Sequence, residues 1–344
     1  MRPSLRIGII GAGNNTRAKH IPGFKAIKGV EVVAVCNRSR TSSEKVAAEF
    51  GIPQVTASWQ EIVESPEIDA ICIGTWPNLH AKITVAALRA GKHVLTEARM
   101  ARNMAEAELM LAEAKLHPTL VTQIVPAPMS LPFDETIKDL LATGALGTLR
   151  EVVMLSTNGA FADGSAPMSW RQDYARSGKN TLFLGVYYEM ILRWLQREPM
   201  SLVSSASVFT KERKDAEGLL QPTVIPESLG VLGLYMDGCR LIGHFSGVET
   251  TAPQSEIRLN GSRAGLRLDL ARDQLWLAEA GKAERQLEVA LAKRGSWRVE
   301  ADFIDSIRDK KPVTLTDFKT GVSYMRFTEA VWESWNNASI RVTL

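Results

Sequence analysis

The apolar positions follow two rhythms. In the first third they come as short unbroken runs: Leu5–Ile10, Val30–Cys36, Ala70–Gly74, His93–Leu95 and Leu120–Val125. Val- and Ile-rich runs without alternation mark strands buried on both faces. Between them lie segments with helix start and stop residues. Thr41-x-x-Glu44 is placed to open Ser42–Phe50 as a capping box closed by Gly51, and Ser58-x-x-Glu61 to open Trp59–Glu64. Leu79–Ala90 ends at Gly91, and Asn103-x-x-Glu106 starts Met104–Leu116, which stops near Pro118. Strands alternating with helices of this size predict βαβ units on a parallel sheet. Residues 1–125 therefore read as one doubly wound α/β domain.

The rhythm changes after Pro126 and Pro128. A helix is expected over Phe133–Ala142, ending at Gly144. Alternating runs follow at Glu151–Ser156, Leu202–Phe209, Leu229–Met236, Arg240–Val248, Glu256–Leu259, Gly265–Leu270 and Gln274–Ala278. Asp237-Gly238 and Asn260-Gly261 are turn pairs that favour hairpins. The pattern predicts a large open, mostly antiparallel sheet with one packed face, in an α+β domain over residues 126–344. Two helices, Trp297–Asp309 and Asp317–Asn336, are expected near its end.

Composition narrows the function classes. The 344 residues fit two domains at roughly 150 residues each. Lys and Arg number 41 against 38 Asp and Glu, a net charge of +3, which gives no basic face for nucleic acid or an anionic membrane. Cys36, Cys72 and Cys239 are an odd, widely spaced set, which argues against a disulfide framework or a zinc site. The five histidines show no metal-ligand spacing, so no metal is expected. No secretory leader is drawn from MRPSLRIGIIGAG, and no apolar stretch approaches the ~18 residues of a membrane span. A soluble, cytoplasmic protein is the expectation.

The first motif with chemistry in it is Gly11-Ala12-Gly13-Asn14-Asn15-Thr16, which follows the first strand and opens a helix. Gly11 permits a tight turn, Gly13 lets the backbone approach a pyrophosphate, and the helix N-terminus offers N–H groups to it. Thr16 stands where a third glycine is usual, so looser helix–strand packing is expected. The second strand ends in Cys36-Asn37-Arg38-Ser39-Arg40, with no carboxylate for a ribose 2′-hydroxyl. Asn37, Arg38 and Arg40 suit a 2′-phosphate, which favours NADP over NAD.

Further along, Gly74-Thr75-Trp76-Pro77-Asn78-Leu79-His80, the run from Ala86 to Glu97, Trp170-Arg171, Gly185 and Leu192-Arg193-Trp194 recur in an order that resembles the Gfo/Idh/MocA family, named for glucose–fructose oxidoreductase and inositol dehydrogenase. The likeness runs over essentially the whole chain and is most specific from Pro77 to Glu97. It implies a Rossmann domain and an open-sheet domain. It also implies a nicotinamide cofactor, a sugar or cyclitol substrate, and a homodimer or homotetramer built through the sheet face. On the cofactor side it points to Thr75, Trp76, Pro77, His80, Glu97, Ala98 and Arg99 as well as the glycine turn.

The departures fall on proton handling. The family's Glu-Lys-Pro reads Glu97-Ala98-Arg99, and its Gly-x-His-x-x-Asp reads Gly185-Val186-Tyr187-Tyr188-Glu189-Met190. The lysine, histidine and aspartate are all replaced. Tyr187 occupies the histidine slot, but a phenol titrating near 10 needs a neighbouring cation to serve as a base. Arg99, Arg171 and Lys179 are the candidates for that cation, Glu189 is an alternative base, and Tyr188 is a third option. Arg99, Trp170, Arg171, Tyr188 and His244 are candidate substrate contacts. Tyr187 and Tyr188 as plain aromatic walls is the competing reading. Three functions follow: an NAD(P)-dependent oxidoreductase on a sugar, cyclitol or similar polyol or ketone; a glycoside hydrolase or lyase that retains its cofactor; or a non-catalytic dinucleotide- or sugar-binding regulator.

Overall fold

In the computed structural model, which describes residues 4–344, the apolar runs of the first third pair side by side. Strands β1 (Leu5–Ile10), β2 (Val30–Cys36), β3 (Gln54–Val55), β4 (Ala70–Ile73), β5 (His93–Thr96) and β6 (Thr122–Ile124) form a parallel sheet in the order β3-β2-β1-β4-β5-β6. The order reverses direction between β1 and β4, and open sheets of this kind bind ligands outside the strand ends at that point. Ile7, Ile9, Ala34, Val35, Ile71 and Val94 are buried, as strands covered on both faces require. β3 is two residues long, too short for an apolar run to announce it.

The helices are α1 (Ile21–Lys25), α2 (Arg40–Phe50), α3 (Trp59–Glu64), α4 (Pro77–Arg89) and α5 (Met104–Leu116). Asn103 caps α5 by accepting the Glu106 N–H at 3.0 Å, and Ser58 caps α3 by accepting that of Glu61 at 3.4 Å. The capping residue of α2 is Ser39, not Thr41: extended Ser39 accepts the Ser42 N–H at 3.3 Å, which leaves Thr41 inside the helix. α4 starts two residues before Leu79, with Pro77 as its first residue.

The second part of the chain carries α6 (Asp134–Ala142), β7 (Leu149–Thr157), α7 (Tyr174–Ser177), α8 (Leu184–Leu195), β8 (Ser201–Ser207), β9 (Glu212–Lys214), β10 (Leu220–Pro222), β11 (Ser228–Leu234), β12 (Arg240–Ser246), β13 (Gln254–Gly261), β14 (Ala264–Asp269), β15 (Gln274–Glu279) and β16 (Arg285–Gln286). It ends with α9 (Val299–Asp309), α10 (Phe318–Asn336) and β17 (Val342–Thr343). Nine strands form one sheet, β16-β15-β14-β13-β7-β12-β11-β8-β17, antiparallel except where β12 runs parallel to β7. Val152, Met154, Leu229, Val231, Leu241 and Phe245 alternate with more exposed residues and fill the packed face. Asp237-Gly238 makes its hairpin between β11 and β12. Asn260-Gly261 does not: it ends β13, and the chain reverses at residues 262–263. A Cβ on Gly261 would lie 2.0 Å from the Leu146 carbonyl oxygen, so close packing is what requires glycine there.

The chain divides into two compact units, residues up to Pro126 with Arg298–Met325, and Ala127–Trp297 with Arg326–Leu344. A single boundary near residue 125 misses the return of residues 298–325 to the first unit. That return is held by hydrogen bonds no local pattern announces. Gln123 Nε2 donates to the Val299 carbonyl at 3.1 Å, Ile124 N–H to that of Thr316 at 2.9 Å, and Met100 N–H to the Tyr324 hydroxyl at 2.5 Å. Among the described residues, no helix is long and apolar enough to cross a membrane.

In the second unit a buried ion pair, Arg213–Glu227 at 2.9 Å, fixes the loops beside β8. Arg213 also donates to the carbonyls of Phe161, Asp163 and Ala166, while Glu227 accepts the N–H groups of Phe209 and Thr210 at 2.8 Å. Removing one member leaves the other charge buried without its partner. Glu227→Ala should therefore lower unfolding free energy by about 3–5 kcal/mol in urea titration, whereas an exposed-pair change such as Glu44→Ala should move it by less than about 1 kcal/mol.

Candidate functional site

Three strand ends converge in the first unit. Gly11 N–H donates to the Cys36 carbonyl at 2.8 Å, Gly74 N–H to that of Ile10 at 2.8 Å, and Ala12 N–H to Asn37 Oδ1 at 2.6 Å. The glycine turn is thus tied to the ends of β2 and β4. Gly11 sits at φ +86°, and a Cβ there would lie 2.7 Å from the Thr75 backbone nitrogen. A Cβ on Gly13 would meet nothing closer than the Gly74 carbonyl oxygen at 3.7 Å. Gly13 thus presents bare backbone to an open space.

Thr16 does not loosen the packing as the missing third glycine predicts. It is buried, its hydroxyl donates to the Gly11 carbonyl at 3.2 Å, and a Cβ on Gly74 would lie 2.1 Å from its Oγ1. The close approach is preserved because glycine stands on the strand side of the contact. The helix that begins at Asn14 also widens into a five-residue π turn, Thr16–His20, before α1.

The open space is a cavity of about 460 Å³. Gly11, Ala12, Gly13, Asn37, Arg38, Thr75 and Trp76 of the expected cofactor residues line it, together with Ser42, Trp59, Asn78 and Leu79, which are not among the expected contacts. Trp59 follows a helix cap and read as an ordinary first-turn residue; its cavity role depends on where α3 packs. The Arg38 guanidinium lies 5.9 Å from the centre of the Trp76 ring, within cation–π range. Arg40 is outside this lining and pairs with Glu44 one turn along α2, at 2.8 Å. Asn14 is exposed and also outside it.

Behind the turn lies a buried charged cluster. His20 presents Nδ1 to Glu300 at 2.5 Å and Nε2 to Glu97 at 3.0 Å. Asn15 donates its side-chain amide to the same Glu97 oxygen. Burial alone would lower the His20 pKa, but the two carboxylates outweigh it and raise it to about 9. Burial likewise opposes ionisation of Glu97, while His20 and Asn15 hold its carboxyl below the usual range. His80 is engaged differently: its ring nitrogens face the Arg99 carbonyl at 3.0 Å and the Thr75 carbonyl at 2.9 Å, and burial pushes its pKa down. It braces the loop after β5 to the start of α4, where Pro77 is also buried. Arg99 is itself buried, and the Ala98–Arg99 peptide is cis.

The second unit gives most of the proton-handling and substrate candidates structural work. Glu189 is buried. It accepts the Ala127 N–H at 2.8 Å and pairs with Arg193, which also holds Asp134 and the Ala127 carbonyl. A carboxylate so committed is not an available base. Lys179 pairs with Glu329. Tyr188 is buried, stacked on Phe327 with ring centres 3.7 Å apart, and burial pushes its phenol far up. His244 is exposed on the face of β12 opposite Phe245, the residue that packs under α8.

Tyr187 lies edge-on to Phe245, with its hydroxyl 2.8 Å from Ser255 Oγ. Burial raises its phenol above 10, and the hydrogen bonds from Ser255 and Ser156 only partly oppose this. The shift is the reverse of what a base requires. Lys179 is paired with Glu329, and Arg171 lies 4.4 Å over the ring of half-buried Trp170.

Comparison with known proteins agrees with this geometry. Residues 5–123 match the family model described as an oxidoreductase family with an NAD-binding Rossmann fold, and residues 135–267 match the GFO/IDH/MocA C-terminal domain. Among curated relatives, trans-1,2-dihydrobenzene-1,2-diol dehydrogenase of Oryctolagus cuniculus is 32% identical over 157 residues, 46% of each chain. Levoglucosan dehydrogenase of Pseudarthrobacter phenanthrenivorans is 28% identical over 193 residues, 52% of this chain and 47% of that one. The chain spans about half the length of the curated relatives it matches first. The fold resembles a levoglucosan dehydrogenase solved with NADH and levoglucosan (TM-score 0.88, 21% identity, 99% of both chains). It also resembles an inositol dehydrogenase homologue from Azotobacter vinelandii solved with NAD+ (TM-score 0.83, 20% identity, 100% of this chain and 98% of that one).

The His20 cluster makes stability depend on pH. The folded value near 9 exceeds the ordinary 6.5, so its stabilisation is complete below about pH 6.5 and is lost as pH rises through about 9. The melting temperature of the ligand-free protein should fall between pH 6.5 and 9.5. His20→Gln should lower it at pH 6.5 and flatten the dependence; an unchanged slope in that variant would refute the assignment.

Proposed function

From the premise that the chain belongs to the GFO/IDH/MocA family of NAD-binding oxidoreductases, we propose that it transfers hydride between a nicotinamide dinucleotide and a polyol or ketone of the sugar or cyclitol class, with NADP preferred. The observation that carries the reading is the glycine cradle: backbone without side chains at Gly11 and Gly13, backed by Gly74 and opening on the cavity. A Cβ would fill part of such a cradle, which fits a pyrophosphate lying against backbone N–H groups. When bound, the nicotinamide supplies or accepts the hydride.

Arg38 and Ser42, at the β2 end of the cavity, carry the NADP preference. The carboxylate that would repel a 2′-phosphate is absent, and Asn37 is occupied in holding Ala12. Arg40 adds little, being paired with Glu44. Arg38→Ala should weaken NADP binding by about tenfold or more, one charge-assisted contact, and leave NAD within about twofold. Equal weakening of both would remove Arg38 from the choice.

Tyr187 is the proton-transfer residue of this proposal, as an acid. In the reducing direction the carbonyl carbon takes the hydride and its oxygen takes the phenol proton, and the Ser255 hydroxyl stabilises the phenolate left behind. The neutral phenol that burial favours is the form this role needs. Tyr187→Phe should lower kcat by about 10²-fold or more while cofactor affinity is retained. Turnover within a few-fold of the unmodified protein would return Tyr187 to a packing role. Substrates of the class are keto-sugars and keto-cyclitols, read by oxidation of NADPH. The names of two relatives, levoglucosan dehydrogenase and trans-1,2-dihydrobenzene-1,2-diol dehydrogenase, support a cyclic vicinal diol or its ketone as the first panel.

A further inference from the structure

Sheet order divides a dinucleotide into two halves. With strands in the order β3-β2-β1-β4-β5-β6, the pyrophosphate lies over the β1 turn, one nucleotide toward β2 and the other toward β4 and β5. Arg38 lies two residues past the end of β2, and it and Trp59 line that cavity. Glu97 immediately follows β5, so the His20 cluster lies on the other side of the switch point, the side left for the nicotinamide nucleotide.

The charge of this cluster follows from geometry. Both ring nitrogens of His20 face carboxylate oxygens. A neutral imidazole has one N–H, and its second nitrogen would then meet an oxygen lone pair; only the imidazolium donates to both. One positive and two negative groups leave a single net negative charge. His20 is fully buried and Glu300 nearly so, while the Glu97 side chain keeps 17% of its surface exposed. Glycine is required at residue 23 to admit Glu300, because a Cβ there would lie 2.6 Å from Oε2. Two other titratable groups near the cluster are held neutral. Buried Cys72, which feels both carboxylates, is held as the thiol, and His80 is held below its usual range. Arg17, on the same helix, is turned to Glu49.

Resting on the dinucleotide reading above, we propose that Glu97, held by His20 and Glu300, is an electrostatic positioning element that makes this protein bind the oxidised nicotinamide dinucleotide more tightly than the reduced one. The oxidised ring carries a positive charge that the reduced ring lacks, while phosphates, riboses and adenine are common to both. The difference between the two affinities therefore isolates the field at the ring from the rest of the site. A buried carboxylate pair with one compensating cation supplies a field of the sign that favours the oxidised form, weakly screened because water is excluded from most of it.

The test measures dissociation constants for both redox forms of the preferred cofactor at pH 7 by calorimetry, in the unmodified protein and in Glu300→Gln. Glu300→Gln keeps the shape of the side chain and removes one negative charge. The unmodified protein should bind the oxidised form about threefold tighter or more, and the variant should lose at least about half of that ratio. A second readout needs no substitution. The His20 ring-proton NMR titration should lie lower in the oxidised complex than in the reduced one, because a nearby positive ring opposes protonation. Equal affinities for the two forms, or equal His20 titrations in the two complexes, overturn the proposal and leave the dinucleotide reading intact. Failure of either form to bind the unmodified protein overturns both.

Discussion

The site depends on one steric constraint, the near-contact between the turn after β1 and the end of β4. Thr16 and Gly74 meet so closely that the strand residue has no room for a side chain. Everything in front of that contact follows from it. Gly11 takes a left-handed conformation over Thr75, Ala12 is tied to Asn37, and Gly13 is left with bare backbone toward the cavity. A phosphate group needs a surface of N–H groups without side chains in front of them. The chain makes one by pressing two strand ends together until glycine is the residue that fits.

The second unit is organised by buried charge. Arg193 gathers Glu189, Asp134 and the Ala127 carbonyl, and Trp194 donates to Asp134 at 2.6 Å. Arg213 gathers Glu227 and three loop carbonyls. Each arginine holds its donors in a fixed fork, and its terminal nitrogens are met by these acceptors. Such networks contribute little net stability compared with apolar packing, but losing one partner costs several kcal/mol. They therefore fix loop positions, and they take from the reacting site a carboxylate whose sequence position looked catalytic.

What was readable in the sequence is what local physics determines. Five of the six parallel strands stood out because burial on both faces leaves an unbroken apolar run, and the seven long strands of the second sheet because one packed face leaves alternation. Two of the three capping boxes held. Apart from the α2 cap, which is a local outcome, the misses depend on distant partners. The cap of α2 fell to Ser39 because backbone geometry at the β2 end selected it over Thr41. His244 and Phe245 are neighbours on one strand, and register, which alternation alone leaves open, decides which faces α8. Glu300 is 280 residues from His20, and no local pattern marks it as part of the cofactor unit. The glycine missing at Thr16 is offset by Gly74 on the other side of the same contact, which a motif confined to the turn does not include.

On the proposed reading, the charge at Glu97 and the phenol of Tyr187 act in one direction. Tighter binding of the oxidised dinucleotide makes the bound couple more reducing, because the cycle linking free and bound forms must close. In that reading Tyr187 is the proton donor, and burial keeps its phenol in the neutral form that role starts from. A strong bound hydride donor and a phenol acid together favour a carbonyl as the group acted on and an alcohol as the product. An alcohol substrate would instead ask a phenol with a raised pKa to act as base and would oppose the field of Glu97 and Glu300 at the hydride step. Replacing the lysine, histidine and aspartate that the family resemblance implies for proton handling therefore need not disable the site. On the proposed reading, the base chemistry of alcohol oxidation gives way to the acid chemistry of carbonyl reduction.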